Sequence, residues 1–130
     1  MKDDNYQQIE KHLRSISKIR KYSKHIVVGD LNLNKTEWPG GITTNKLQDK
    51  FVNLFNELGM EQLIEEPTHN LGGTPDLLFV SSRAFIRDVK VLPENRICSS
   101  DHFGITFNLT PRVRIEVKQQ LIMLLLAIFF

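Results

Sequence analysis

Five polar residues stand where apolar runs end or begin. Asp30 and Asn32 follow His25-Ile26-Val27-Val28, Asp76 opens the run Leu77-Leu78-Phe79-Val80, and Asp101-His102 directly precedes Phe103 to Leu109. Strand ends are where a rigid sheet hands side chains to loops and to chemistry. Three carboxylates, an amide and an imidazole meeting on one rim would supply oxygen ligands for a hard cation, a group to orient a water and a group to move a proton. That inventory suits hydrolysis of a phosphodiester. Each residue also has a plainer reading. Asp30 and Asn32 are good turn caps, Asp101 is another, and His102 taken alone reads as an exposed imidazole. Asp76 is harder to place that way, because a carboxylate opening an apolar strand needs a partner if it is buried, and His102 is the obvious one. His25 and His69 have no ligand spacing and read as structural or exposed.

The elements that must position these groups follow from periodicity. Tyr6, Ile9, Leu13, Ile16 and Ile19 recur at spacings of three and four among charged residues, which predicts an amphipathic helix reaching to about Tyr22. His25 to Val28 is short and β-branched and predicts a buried strand ending at Asp30. Leu31 to Thr44, with Trp38-Pro39 and Gly40-Gly41, predicts a loop in which Trp38 either stacks on a base or sugar or closes over the core. Asn45 and Gln48 resemble a capping pair, and Leu47, Phe51, Leu54, Phe55 and Leu58 continue at helical spacing to a stop at Gly59. Met60 to Ile64, Asp76 to Val80, Val89 to Leu92 and Phe103 to Leu109 predict further strands, separated by loops at Glu65 to Pro75 and Pro93 to Ser100. The expected fold class is α/β, one layered sheet of roughly five strands in mixed directions with two helices.

Composition narrows the function less than it narrows the class. The 130 residues, 41% hydrophobic and 25% charged, are those of one globular unit, and a formal charge of +2 is too mild to argue for nucleic acid by itself. Lys18, Arg20, Lys21 and Lys24 cluster near the first helix end, where basic residues also complement the helix dipole. Cys98 is the one cysteine, which excludes an intrachain disulfide and a multi-cysteine zinc site. An intracellular, nuclear or cytoplasmic location is expected, and the polar Met1 to Glu10 does not resemble a secretory signal. The apolar run Leu121 to Phe130 is half the length of the roughly twenty residues a spanning helix needs, so membrane contact is not expected; a buried terminal helix or a non-native end is. Residues 111–130 are placed outside the functional unit formed by residues 1–110.

The residues at the strand ends carry a resemblance. Gly29-Asp30-Leu31-Asn32 is similar to the "GDFN" element of the endonuclease/exonuclease/phosphatase superfamily, and Ser100-Asp101-His102 resembles its "SDH" element. Between them, Pro75-Asp76-Leu77-Leu78-Phe79 resembles the "LDLVF" strand, in the right order. Trp38 and Glu66-Pro67-Thr68-His69 resemble the endonuclease domains of non-LTR retrotransposons. The resemblance spans roughly Asn5 to Leu109. It implies a DNA-nicking phosphodiesterase in which Asp30 and Asn32 orient the attacking water and phosphate, Asp101 is a metal ligand, and His102 contacts the phosphate or moves a proton while hydrogen-bonded to Asp76. It implies magnesium, with manganese a substitute, and a four-layer α/β/β/α sandwich.

The chain also departs from that pattern. The family carries an Asn, a metal-binding Glu, a Tyr and a His ahead of the first element, whereas Glu10, Tyr6 and His12 here fall on the amphipathic helix. A fragment lacking its N-terminal half is the expectation, inactive alone, with one sheet face left for a partner or the missing half to cover at about 25 cal/mol per Å² of apolar area. A catalytically dead remnant that binds nucleic acid or a partner protein is the alternative. A phosphatase of the same superfamily acting on an inositol phosphate or phospholipid is disfavoured by the sequence around Asp76 and Trp38.

Overall fold

The computed structural model describes residues 3–18, 24–93, 100–110, 115–119 and 124–129, with the backbone alone in the last two segments. The expected loop at Pro93 to Ser100 and the helix expected beyond Lys18 lie largely outside them.

Helix α1, Asp3–Ser17, buries Tyr6, Ile9, Leu13 and Ile16 on one stripe, with Asp3 and Asp4 in its positive first turn. Helix α2, Lys46–Glu57, starts where Asn45 accepts a hydrogen bond from the Gln48 amide. It stops before Gly59, whose φ of +68° suits glycine. The Gln48 side chain does not return to Asn45 as in a capping box. It is buried, accepts from the Lys35 amide at 2.9 Å and the Thr36 hydroxyl at 2.8 Å, and donates to Asn34 at 3.0 Å. One amide thus pins the segment after Asp30 to α2. Arg14 links the helices by reaching both Glu10 and Glu57.

The strands are β1 Lys24–Asp30, β2 Thr36–Glu37, β3 Ile42–Thr43, β4 Glu61–Gln62, β5 Asp76–Val80, β6 Ile86–Leu92, β7 Gly104–Leu109, β8 Ile115–Gln119 and β9 Leu124–Phe129. The main sheet has five strands in the order β4-β5-β1-β9-β8, and β2-β3 and β6-β7 are separate pairs. Every pairing among the described residues is antiparallel, where mixed directions were expected. Antiparallel neighbours can be joined by turns and loops, whereas parallel neighbours need a crossover connection.

Within the apolar C-terminal run, Leu124–Phe129 is a strand, where a buried terminal helix or a non-native end was expected. β9 lies along β1, with Lys24 opposite Phe129 and Gly29 opposite Leu124, and β8 pairs along β9. A short apolar run has no periodicity of its own to choose helix over strand, and the open edge of β1 offers the backbone a full set of hydrogen bonds. No helix among the described residues is long and apolar enough to cross a membrane.

Alternation along β1 and β5 builds two cores. Val27, Leu77 and Phe79 face the helices, where Phe55 stacks on Phe79 with centroids 3.6 Å apart and Tyr6 meets Phe51 edge-on at 4.8 Å. Ile26, Leu78 and Val80 face the other way and pack with Ile64, Phe85 and Ile86. Partly buried Val89, Val91, Ile105 and Phe107 of the β6-β7 pair complete that second core. The layering is therefore helices, main sheet, small sheet. The face expected to lie bare carries the β6-β7 pair over β1 and β5.

Candidate active site

The antiparallel register puts Asp30, the last residue of β1, directly opposite Asp76, the first of β5. Two like charges facing across strands repel, so this pairing costs stability unless something else uses it. The chain around them is fixed by its backbone. The Leu31 and Asn32 amides both donate to the Pro75 carbonyl, at 3.0 and 3.2 Å, and Asn32 adopts a left-handed φ of +47° that an Asn tolerates. Thr68, fully buried, accepts from the Asp76 amide through its hydroxyl at 3.2 Å and from the Phe103 amide through its carbonyl at 2.7 Å. The loop before β5 and the start of β7 are thereby tied together, which delivers His102 to the carboxylates.

His102 Nδ1 lies 2.7 Å from Asp76 Oδ2, the hydrogen bond the sequence required, and its Nε2 is 3.9 Å from Asp30 Oδ2. Bonding to Asp76 raises the His102 pKa above 6.5, against the opposing effect of desolvation. The Asp30 carboxyl is raised above 3.8, first by burial and then by the neighbouring Asp76 charge. Its Oδ1 is buried with no hydrogen-bond partner among the described residues. Asn32 is exposed beside them.

Asp101 is the outlying member. Its carboxylate points to His69, with Nε2 to Oδ2 at 3.1 Å, and that bond holds its pKa below 3.8. His69 was read from sequence as structural or exposed. It bridges His102 across the chain, with the two rings edge to face at 5.1 Å. The signal that could have marked it is its place just before Gly72-Gly73, whose positive φ values turn the loop back toward the rim.

Asp30, Asn32, His69 and His102 line one cavity of about 650 Å³, with Trp38 and Gly72 among the other walls. That volume is in the range of ligand-binding clefts. Trp38 closes over the core: it packs edge-on to Phe79 at 5.9 Å while lining the cavity.

Two donor groups are compact enough to share an ion, Asp30-Asp76-His102 and His69-Asp101-His102, each with its ligand atoms within 4.8 Å of one another. The rim offers three carboxylates, one of them with a buried oxygen that lacks a partner among the described residues, a donor chemistry that fits a hard divalent cation.

An opposed carboxylate pair, an imidazole fixed by one of them and a cleft alongside define a hydrolase-type site on an α/β scaffold. The chain matches, over residues 1–106, the family described as endonuclease-reverse transcriptase. It belongs to that family, of the endonuclease/exonuclease/phosphatase type. Comparison with curated proteins and with solved structures gives no match.

Proposed function

We propose that this chain carries the water-orienting and proton-transfer part of a magnesium-dependent phosphodiesterase that nicks DNA. The observation that carries the reading is the meeting of Asp30, Asp76 and His102 beside the cleft.

In this reading Asp30 takes the proton from the attacking water, and its upward-shifted pKa makes it a better base than an ordinary carboxylate. Asn32, one turn of backbone away, orients that water or a phosphate oxygen. Asp76 holds His102 in one tautomer and favours its protonated form, so that the imidazolium contacts the phosphate or gives a proton to the leaving oxygen. Asp101 would hold the magnesium, which manganese can replace because both accept oxygen donors. When bound, the ion polarises the phosphoryl group and neutralises charge as the bond breaks.

The site lacks one expected part. No Glu joins either group of close donors among the described residues: Glu10 is occupied by Tyr6 and Arg14 on α1, and Glu37 lines the cleft apart from both groups. The chain alone is therefore a weak or silent nuclease in this proposal, completed by a polypeptide segment that brings a strand-borne Glu. The test is nicking of supercoiled plasmid with Mg²⁺, by the chain alone and with such a segment supplied in trans. Nicking that is lost in Asp30→Asn and His102→Ala supports the reading. A folded chain that binds DNA but nicks under neither condition is a remnant, and the catalytic assignment fails.

A further inference from the structure

His69, Asp101 and His102 form a compact two-imidazole, one-carboxylate set, which at first sight suits a transition-metal ion. The hydrogen bonds around His69 argue for a different role. The Leu71 amide donates to His69 Nδ1 at 3.1 Å, so that nitrogen must present a lone pair. The remaining proton of a neutral ring is then on Nε2, and Nε2 is the atom that meets Asp101 Oδ2 at 3.1 Å. A nitrogen that donates to a carboxylate has no lone pair to give a metal. The arrangement is built by the loop itself. Gly72 donates to the His69 carbonyl at 3.0 Å and Thr68 to the Gly73 carbonyl at 3.0 Å, closing a tight turn that aims the Leu71 amide back at the ring. The turn leaves Leu71 89% exposed, so this residue is placed for its backbone and not for its side chain. The other end of the pair is fixed as well, because the Asn70 amide donates to the Asp101 carbonyl at 2.9 Å.

We propose that His69 is a positioning residue: as the Nε2–H tautomer, set by the Leu71 amide, it fixes the exposed Asp101 carboxylate through Oδ2 and leaves Oδ1 for a divalent cation. The inference deepens the reading above, since it takes Asp101 as the ligand. His69 touches neither ion nor substrate. It removes the rotamer freedom an exposed Asp would otherwise lose on binding, and its donation occupies one carboxylate oxygen so that the ion meets the other. Partners of this kind around metal ligands typically matter about 10- to 100-fold in affinity or activity.

The experiment uses the full chain and two readouts other than catalysis. The first is two-bond ¹H–¹⁵N correlation of the imidazoles at a pH where His69 is neutral, with and without Zn²⁺ as a diamagnetic probe. The expected result is an Nε2–H tautomer for His69 that Zn²⁺ leaves unchanged. The second is Mn²⁺ affinity by electron paramagnetic resonance for the unmodified chain, His69→Phe and His69→Gln. Glutamine keeps an N–H donor near the Nε2 position, so His69→Gln should stay within about threefold of the unmodified chain while His69→Phe weakens binding by roughly tenfold or more. An Nδ1–H tautomer, a Zn²⁺-induced shift of Nε2, equal affinities in all three chains, or no Mn²⁺ binding by the unmodified chain would each overturn the proposal. The expected tautomer and affinities without nicking in any assay would leave the positioning role standing and remove the nuclease reading instead.

Discussion

The two His-carboxylate pairs on the rim use the same residue types to opposite ends. In Asp76-His102 the carboxylate is the more buried member, with side-chain exposures of 17% and 34%, and the contact is 2.7 Å. In His69-Asp101 the imidazole is the buried member, at 19% against 61%, and the contact is 3.1 Å. A buried carboxylate has little water to share its charge with, so it holds its histidine hard, and the His102 pKa rises. An exposed carboxylate keeps its charge easily, so the histidine beside it only steadies an anion, and the Asp101 pKa falls. One pair favours the protonated imidazole, the other the ionised carboxylate. Which member faces water decides which product the pair delivers.

The largest expected difference between the pairs is in turnover. Asp76→Asn removes the charge that fixes the His102 tautomer, and nicking in the complemented plasmid assay should fall by roughly three to four orders of magnitude, as for carboxylates that orient a catalytic histidine elsewhere. The His102 pKa, followed by NMR, should drop toward 6.5 in the same variant. Equal losses from Asp76→Asn and His69→Phe would erase the distinction between orienting a reacting group and steadying a ligand.

A smaller effect, of opposite sign for stability, is expected at Asp30. Its folded pKa is raised by burial first and by Asp76 second, so the ionised form is disfavoured in the fold. The stability this group allows is greatest when it is protonated, and is lost as pH rises from 3.8 through the higher folded value. At neutral pH, Asp30→Asn should therefore abolish activity yet stabilise the chain by about 0.2–1 kcal/mol, the scale of a relieved cross-strand repulsion. Urea denaturation reads this directly, and a lower midpoint in the variant would show that the facing carboxylates do not repel as their register implies.

What the sequence disclosed tracks how local the determining physics is. The Asn45 cap, the β5 strand beginning at Asp76 and the Asp76-His102 bond were all legible, because a capping oxygen, a five-residue apolar run and a buried carboxylate each state their need within a few residues. Gln48 was half legible: its amide is capped as expected, but its side chain answers to Asn34, Lys35 and Thr36 across a loop. What His69 does was not legible, because it depends on a bridge to His102, a contact between distant positions that no spacing encodes. The C-terminal run was misread for a related reason. Its pairing with β1 joins positions about a hundred residues apart, and a non-local ladder decides between helix and strand where the run itself does not.

The smallest effect separates the pairs by pH alone. His102 has a raised pKa, so its contribution to stability is fully present below 6.5 and disappears as pH rises through its folded value. Asp101 has a lowered pKa, so its contribution is present above 3.8 and disappears as pH falls through its folded value. Between those limits both pairs contribute, and stability should form a plateau with one shoulder on each side. Asp76→Asn should flatten the alkaline shoulder and leave the acid one, whereas Asp101→Asn should soften the acid shoulder only slightly, because its carboxylate is in water in both states and salt screens the pair. Thermal unfolding from pH 3 to 9, at low and at high salt, distinguishes them. If high salt removes the alkaline shoulder as readily as the acid one, the Asp76-His102 pair is no better shielded than its neighbour, and burial does not explain why the two pairs differ.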